Sequence, residues 1–128
     1  MRLLLDSHAL LWFLEGNALL STHARKAIED ASNSKYVSHA TAWEIAIKVS
    51  LGKLELKVSY EDLFPGVVET NGFEILSSGC AHFHELLKLP FHHGDPFDRL
   101  LIAQAKSEGM TLVSCDSQFA AYGIPVLW

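Results

Sequence analysis

Acidic residues stand at the ends of two predicted strands. Asp6 directly follows the apolar run Arg2–Leu5, and Asp116 follows the run Thr111–Cys115. In an open parallel sheet, ligands bind in the crevice outside the carboxyl ends of the strands. Carboxylates that meet there repel one another, and a cation between them relieves that repulsion. The pattern therefore predicts a divalent-metal site, and such a site is typical of phosphate chemistry.

Glu44 is a third candidate ligand, in a predicted helix that follows the strand ending at Ser38. Apolar neighbours flank it, and helical side chains lean toward the helix N-terminus, so Glu44 can point back to the same crevice. The alternative is an ordinary ion pair with Lys48, four residues later on a solvated helix face.

Asp95 and Asp98 begin another predicted helix, with Pro96 between them. Pro at the first helical position after an Asp N-cap is a strong helix start, so Asp95 is expected to cap and to support the site. Asp98 is the expected ligand. Arg99 follows it and is predicted either to contact a substrate phosphate or to pair with a nearby acid.

The ligand types favour Mg²⁺ or Mn²⁺ over Zn²⁺, because they are hard carboxylate oxygens without cysteine or a fixed histidine pair. His92 and His93 are adjacent, and neighbouring side chains rarely bind one metal together. We predict that both are loop residues, with His93 a candidate for substrate contact.

These residues require elements that bring them together. Runs of β-forming residues predict strands, and helical spacing with capping residues predicts the helices between them. Ser7 is the expected N-cap of the first helix and Ser59 that of the fourth. The predicted strands are 2–5, 35–38, 73–76, 112–114 and 126–127; the predicted helices are 8–14, about 22–31, 40–51, 60–70, 81–87, 96–108 and 117–122.

This alternation predicts a mostly parallel sheet of about five short strands with helices on both faces, a three-layer α/β/α arrangement. With 128 residues, the chain is expected to form one domain over residues 1–128. The hydrophobic content of 49% is that of a globular protein. No apolar stretch approaches the length of a membrane span, and Asp6 and His8 interrupt any secretory signal at the start.

The net charge and the two cysteines narrow the class of protein further. The net charge of −5 argues against tight binding of duplex nucleic acid, although an acidic metal site accounts for part of it. Cys80 and Cys115 lack metal-type spacing, and we expect reduced thiols and a cytoplasmic protein.

Four segments carry a family pattern in the same order: Leu3–His8, Ala42–Lys48, His93–Ala105 and Leu112–Asp116. The third contains Asp-Pro-Phe-Asp-Arg-Leu-Leu-Ile-Ala and is specific. Together they resemble PIN domains, and among them the VapC-like ribonuclease toxins of bacterial type II toxin–antitoxin pairs.

The resemblance implies a PIN-like fold and cleavage of single-stranded RNA with Mg²⁺ or Mn²⁺. It also implies a homodimer and inhibition by a cognate antitoxin protein. Its acidic positions fall on Asp6, Glu44, Asp98 and Asp116. Ser114 matches a small hydroxyl residue that holds a ligand or a water. Trp12, Phe13 and Trp43 can form an antitoxin groove, but the pattern favours core packing for them.

Three alternatives remain open. A phosphatase of the haloacid dehalogenase type also has Asp after its first strand, but it needs a second Asp where this chain has His8. A receiver domain needs an Asp after the third strand, where Leu76-Ser77-Ser78 offers none. A PIN-like scaffold that only binds a partner is the non-catalytic alternative.

Overall fold

A parallel sheet forms the centre of the molecule. The computed structural model describes all of residues 1–128. Its strand order is β3-β2-β1-β4-β5, and each of the four neighbouring pairs is parallel. The strands are β1 (Arg2–Leu5), β2 (Ser34–Ser38), β3 (Phe73–Leu76), β4 (Thr111–Val113) and β5 (Val126–Leu127).

Seven α-helices surround the sheet. A π-helical turn, Leu63–Val67, joins the fourth to the fifth, and a 3-10 helix, Ser117–Tyr122, precedes β5. The helices are α1 (Ser7–Glu15), α2 (Thr22–Glu29), α3 (His39–Ser50), α4 (Tyr60–Asp62), α5 (Val68–Thr70), α6 (Cys80–Lys88) and α7 (Pro96–Glu108).

The leucines of β1 show how two hydrophobic cores form on one sheet. Successive side chains of a strand point to opposite faces. Leu3 and Leu5 lie in a core with residues of α1, α2 and α3, whereas Leu4 lies in a second core with residues of α7 and the 3-10 helix. All three leucines are fully buried. The predicted three-layer α/β architecture with about five short strands is therefore confirmed.

The strand order places a crevice beside β1. The chain passes from β1 to β2 and β3 on one side, and it then returns to β4 on the other side of β1. Such a reversal is where ligands bind in open α/β sheets. Asp6 lies at the carboxyl end of β1, and its backbone N–H donates to the carbonyl of Val113 at the end of β4.

Several predicted boundaries differ from the structure. Asp6, not Ser7, caps α1, because its carboxylate accepts from the Ala9 N–H at 2.8 Å. The predicted helix 60–70 is broken, since Phe64 has an extended backbone and Pro65 brings no N–H donor. Strand β4 ends at Val113, one residue before the predicted end at Ser114.

The other differences are shifts of one or two residues at helix ends. Helix α2 ends at Glu29, before the predicted end at residue 31. Helix α3 begins at His39, capped by Ser38, and α6 spans Cys80–Lys88. No helix has both the length and the apolar composition that a membrane crossing requires.

Candidate active site

Asp6 is a buried carboxylate between the ends of β1 and β4. It is 8% exposed. One carboxylate oxygen accepts the Ala9 N–H, and the Ser114 hydroxyl lies close enough to interact with the same side chain. Burial raises the pKa of Asp6, while the Ser114 hydroxyl and the Ala9 N–H partly offset that rise. Neighbouring Glu44 raises it further through like charge.

Asp116 belongs to the turn that follows β4. Its carboxylate accepts the Gln118 N–H at 2.9 Å and so caps the 3-10 helix. Its own N–H donates to the Ser114 Oγ at 3.0 Å. Ser114 therefore lies between Asp6 and Asp116, in the supporting place that the sequence suggested.

Glu44 lies one and a half turns into α3 and is only 8% exposed. Its carboxylate forms an ion pair with Lys48 at 3.4 Å, as the alternative interpretation expected. Because Glu44 is buried, the pair does not lie on a fully solvated face, and the charge of Glu44 raises the pKa of both Asp6 and Asp98. The helix therefore carries Glu44 to the crevice.

Asp98 lies in the first turn of α7, and Asp95 caps that helix by accepting from the N–H groups of Phe97 and Asp98. The capping role predicted for Asp95 is confirmed. Burial, followed by the nearby charge of Asp95, raises the pKa of Asp98 to about 6, and Glu44 adds a smaller rise. A hydrogen bond from His93 opposes the rise.

The electrostatics of the crevice favour a cation. Two of its carboxyls, Asp6 and Asp98, have raised pKa values, and the charge of Glu44 contributes to both rises. Removing charge from water without compensation is costly, and a bound cation supplies compensation. Their all-oxygen chemistry fits a hard cation such as Mg²⁺ or Mn²⁺.

The side chains as positioned do not form a ready metal cage. No three His, Cys, Asp or Glu side chains are grouped so that they could hold a metal ion. The carboxylates of Asp6 and Asp116 accept capping bonds, and the Glu44 carboxylate pairs with Lys48, so each of these three acids has a protein partner. A shared metal site formed by the four acids stays a prediction.

The sequence matches the PIN domain family model over residues 3–125. The chain belongs to the PIN domain family. The candidate acids of this PIN domain all lie within the matched range. No curated protein sequence matches the chain.

Solved structures show the same fold at low sequence identity. VapBC2 from Rickettsia felis, bound to a DNA fragment from its promoter, matches with a TM-score of 0.73 and 15% identity, covering 98% of this chain and 97% of that chain. DNA-bound VapBC from Salmonella typhimurium matches with a TM-score of 0.70 and 17% identity, covering 98% and 96%. FitAcB from Neisseria gonorrhoeae matches with a TM-score of 0.65 and 17% identity, covering 97% and 95%.

Arg99 of the PIN domain does not contact the crevice. It is buried, and its guanidinium donates to the carbonyl oxygens of Pro90 and Leu89 and to the Tyr122 hydroxyl. The ring of Phe91 lies 3.9 Å from the guanidinium carbon. Arg99 therefore pairs with no acid in this structure, and its contacts fasten the loop before α7, whereas its contact with a substrate phosphate stays a prediction.

His93 lies in that loop, as predicted, but it turns toward the acids. Its Nε2 is 3.4 Å from a carboxylate oxygen of Asp98, and its Nδ1 is 2.7 Å from the Tyr122 hydroxyl. Tyr122 is not among the predicted site residues; it follows Asp98 by 24 positions and ends the 3-10 helix. Only the fold brings it next to α7, so no local pattern could have indicated it.

Basic side chains line a depression beside the acids. Lys48 and Lys53 share it with Ser7 and His8 at the start of α1. The sequence analysis treated Lys48 only as the partner of Glu44 and did not consider Lys53. A lysine four residues after a candidate ligand on the same helix was the available signal.

The aromatic residues proposed for a groove or a core separate into two groups. Trp12 and Phe13 pack against the core, as the pattern favoured. Trp43 is 63% exposed, so the core interpretation is wrong for this residue. Its ring meets the ring of Phe97 edge to face at 5.2 Å, between α3 and α7.

Proposed function

We propose that this PIN domain is a divalent-metal-dependent endoribonuclease that hydrolyses phosphodiester bonds of single-stranded RNA. The observation that carries the proposal is the position of its acids. Asp6 follows β1, Glu44 lies on α3 and Asp98 lies on α7, and the charge of Glu44 raises the pKa of both Asp6 and Asp98 near the switch point of the sheet. Members of the PIN family that act as nucleases use divalent metals.

Asp6, Glu44, Asp98 and Asp116 are the residues that would hold Mg²⁺ or Mn²⁺. When bound, such an ion would supply a water of lowered pKa and would neutralise charge on the scissile phosphate. The Lys48 ammonium lies 3.4 Å from one Glu44 carboxylate oxygen, so it would compete with a cation for that oxygen. Ser114 keeps Asp6 and the turn of Asp116 in place from one side.

The basic depression supports a phosphate-bearing substrate. Lys48 and Lys53 line one depression with Ser7, the residue after Asp6, whereas the chain as a whole has a net charge of −5. Lysine binds phosphate groups chiefly through charge. If Glu44 turned to a cation, Lys48 would be free to contact the RNA backbone.

We further propose that the protein is the toxin of a toxin–antitoxin pair, a homodimer, and cytoplasmic. The matched structures from Rickettsia felis and Salmonella typhimurium are VapBC complexes, and the fold is shared over nearly the whole chain. A cognate antitoxin protein is the expected partner. Co-purification with the product of a neighbouring gene, with loss of RNA cleavage in the complex, would support this assignment.

Cleavage of a single-stranded RNA oligonucleotide tests the enzymatic proposal. The purified chain is expected to cleave the oligonucleotide in the presence of Mg²⁺ or Mn²⁺. EDTA is expected to stop this cleavage. Asp6→Asn and Asp98→Asn should abolish cleavage while remaining folded, because Asn keeps the volume and also caps helices. If these variants keep full activity, or if wild type cleaves equally well in EDTA, the proposal fails.

A non-catalytic partner-binding module is the second candidate, and the lack of a ready metal cage favours it. It predicts no cleavage by wild type under any metal condition, with partner binding unaffected by Asp98→Asn. The phosphatase alternative receives no support, since the chain belongs to the PIN family and has His8 in place of the required second Asp.

A further inference from the structure

Tyr122 makes an unusually complete set of hydrogen bonds with one hydroxyl group. The Arg99 Nη1 group donates to it at 3.2 Å, and the backbone N–H of His93 donates to it at 3.2 Å. A tyrosine hydroxyl has two acceptor lone pairs and one proton. Both lone pairs are therefore occupied, and the proton is left for a single acceptor.

The geometry selects that acceptor. The His93 Nδ1 lies 2.7 Å from the hydroxyl oxygen, whereas the carbonyl oxygen of His93 lies 3.4 Å away. The shorter contact has the usual length of a strong O–H hydrogen bond. Tyr122 therefore donates to Nδ1, and the neutral His93 ring must carry its own proton on Nε2.

The proton on Nε2 faces Asp98. The Nε2 to Asp98 oxygen distance is 3.4 Å, and the His93 side chain is largely buried. Arg99 fastens the same loop by donating to the carbonyls of Leu89 and Pro90, which keeps the backbone of His93 in reach of Tyr122. The contacts thus form one chain, from Arg99 through Tyr122 and His93 to Asp98.

We propose that Tyr122 and His93 are positioning residues that orient the Asp98 carboxylate for its part in the active site, with Arg99 holding their loop. This positioning role rests on the proposed function only for the identity of the reaction in which Asp98 takes part. Hydrogen bonds to a ligating carboxylate set its orientation, and losing such a partner costs about 10-fold to 100-fold in activity or metal affinity. Asp98 lies on the first turn of α7, with His93 of the preceding loop beside its carboxylate.

Tyr122→Phe tests this series of hydrogen bonds in two measurements, because it removes the hydroxyl oxygen and keeps the ring. In the metal-free protein at pH 8, the ¹⁵N shifts of His93 should show protonated Nε2 in wild type and a mixture of tautomers in the variant. In RNA cleavage at saturating metal, kcat should fall about 10-fold or more with KM little changed. Tyr36→Phe is the matched control: this hydroxyl lies on β2 near Arg2, and both readouts should stay at wild-type values.

His93 variants separate positioning from simple loop support. The amide nitrogen of Gln reaches about where Nε2 stands, so His93→Gln should retain more activity than His93→Leu, with both variants folded. A wild-type His93 protonated on Nδ1, or a Tyr122→Phe tautomer identical to wild type, would overturn the inference. Because the nuclear magnetic resonance measurement needs no catalysis, a wild type that fails to cleave RNA refutes the proposed function and leaves this test intact.

Discussion

Asp98 is a candidate site residue whose charged form is unfavourable in the folded chain. Its carboxyl is partly buried beside Asp95 and Glu44, and its pKa is raised to about 6 from an ordinary value of 3.8. A raised carboxyl pKa means that the folded chain binds its proton more tightly than the unfolded chain does. Folding stability is therefore lowered as pH rises from about 4 to 6, and the whole penalty is present above that range.

Asp98→Asn should stabilise the metal-free protein at pH 8, because it removes the charge that burial disfavours. Urea unfolding in EDTA should give a higher midpoint for the variant than for wild type at pH 8. The difference between the two urea midpoints should narrow as pH falls below 6, where wild-type Asp98 becomes protonated. A gap that does not depend on pH would contradict the raised pKa.

Asp6 combines a capping bond with a candidate ligand, and two substitutions separate the roles. Asp6→Asn keeps an oxygen for the Ala9 N–H, whereas Asp6→Ala leaves that donor without its partner. We expect Asp6→Ala to be less stable than Asp6→Asn by about 1 kcal/mol. RNA cleavage should be lost in both variants. Equal stability of the two variants would contradict the capping role of Asp6.

At the scale of elements, α7 connects the site to the second core. Its first turn carries Asp98, and its buried face, which includes Leu101 and Ile102, packs beneath the sheet. Asp95 and Pro96 begin this helix just before the candidate ligand Asp98. The start of α7 therefore decides where Asp98 stands relative to the end of β1.

Asp95→Ala should weaken the start of α7. The carboxylate of Asp95 accepts from two backbone N–H groups, and losing that cap costs about 1 kcal/mol of stability. Thermal unfolding should show a lower midpoint for Asp95→Ala. Asp95→Asn is the control: it preserves the cap, so its midpoint should stay close to that of wild type.

At the scale of the whole molecule, the fold brings together acids that are far apart in the chain. Parallel pairing of β1 with β2 and with β4 places the ends of these strands at one edge. Two cores hold the sheet from both faces, so the edge is a rigid place for a site. The repulsion among Asp6, Glu44 and Asp98 is tolerated because this packing outweighs it.

Metal binding should therefore stabilise the folded molecule. A ligand that binds only the native state at 100 times its Kd adds about 2.7 kcal/mol of stability. Thermal unfolding with Mn²⁺ should give a midpoint several degrees higher than in EDTA for wild type. The increase should vanish in Asp98→Asn and persist in Glu61→Gln, whose side chain is exposed on α4. A shift retained by Asp98→Asn would place the ion elsewhere.

Local patterns were enough to predict most elements and several residue roles. The Asp95–Pro96 helix start and the leucine run of β1 were correct, because capping bonds and side-chain alternation involve residues a few positions apart. The Asp6 cap was assigned to Ser7, since both are good capping residues and only backbone geometry separates them. The four acidic positions came from the family pattern together with the predicted strand ends.

Contacts between distant segments could not be predicted from the amino-acid sequence. The loop-fastening role of Arg99, the Tyr122 hydroxyl next to His93, and the exposure of Trp43 each depend on how α7, the 3-10 helix and α3 pack. The direction of each carboxylate is likewise a tertiary property, because capping bonds and Lys48 compete for the same oxygens that a cation would use. Residue types carry the chemistry, and long-range packing decides which partner each side chain meets.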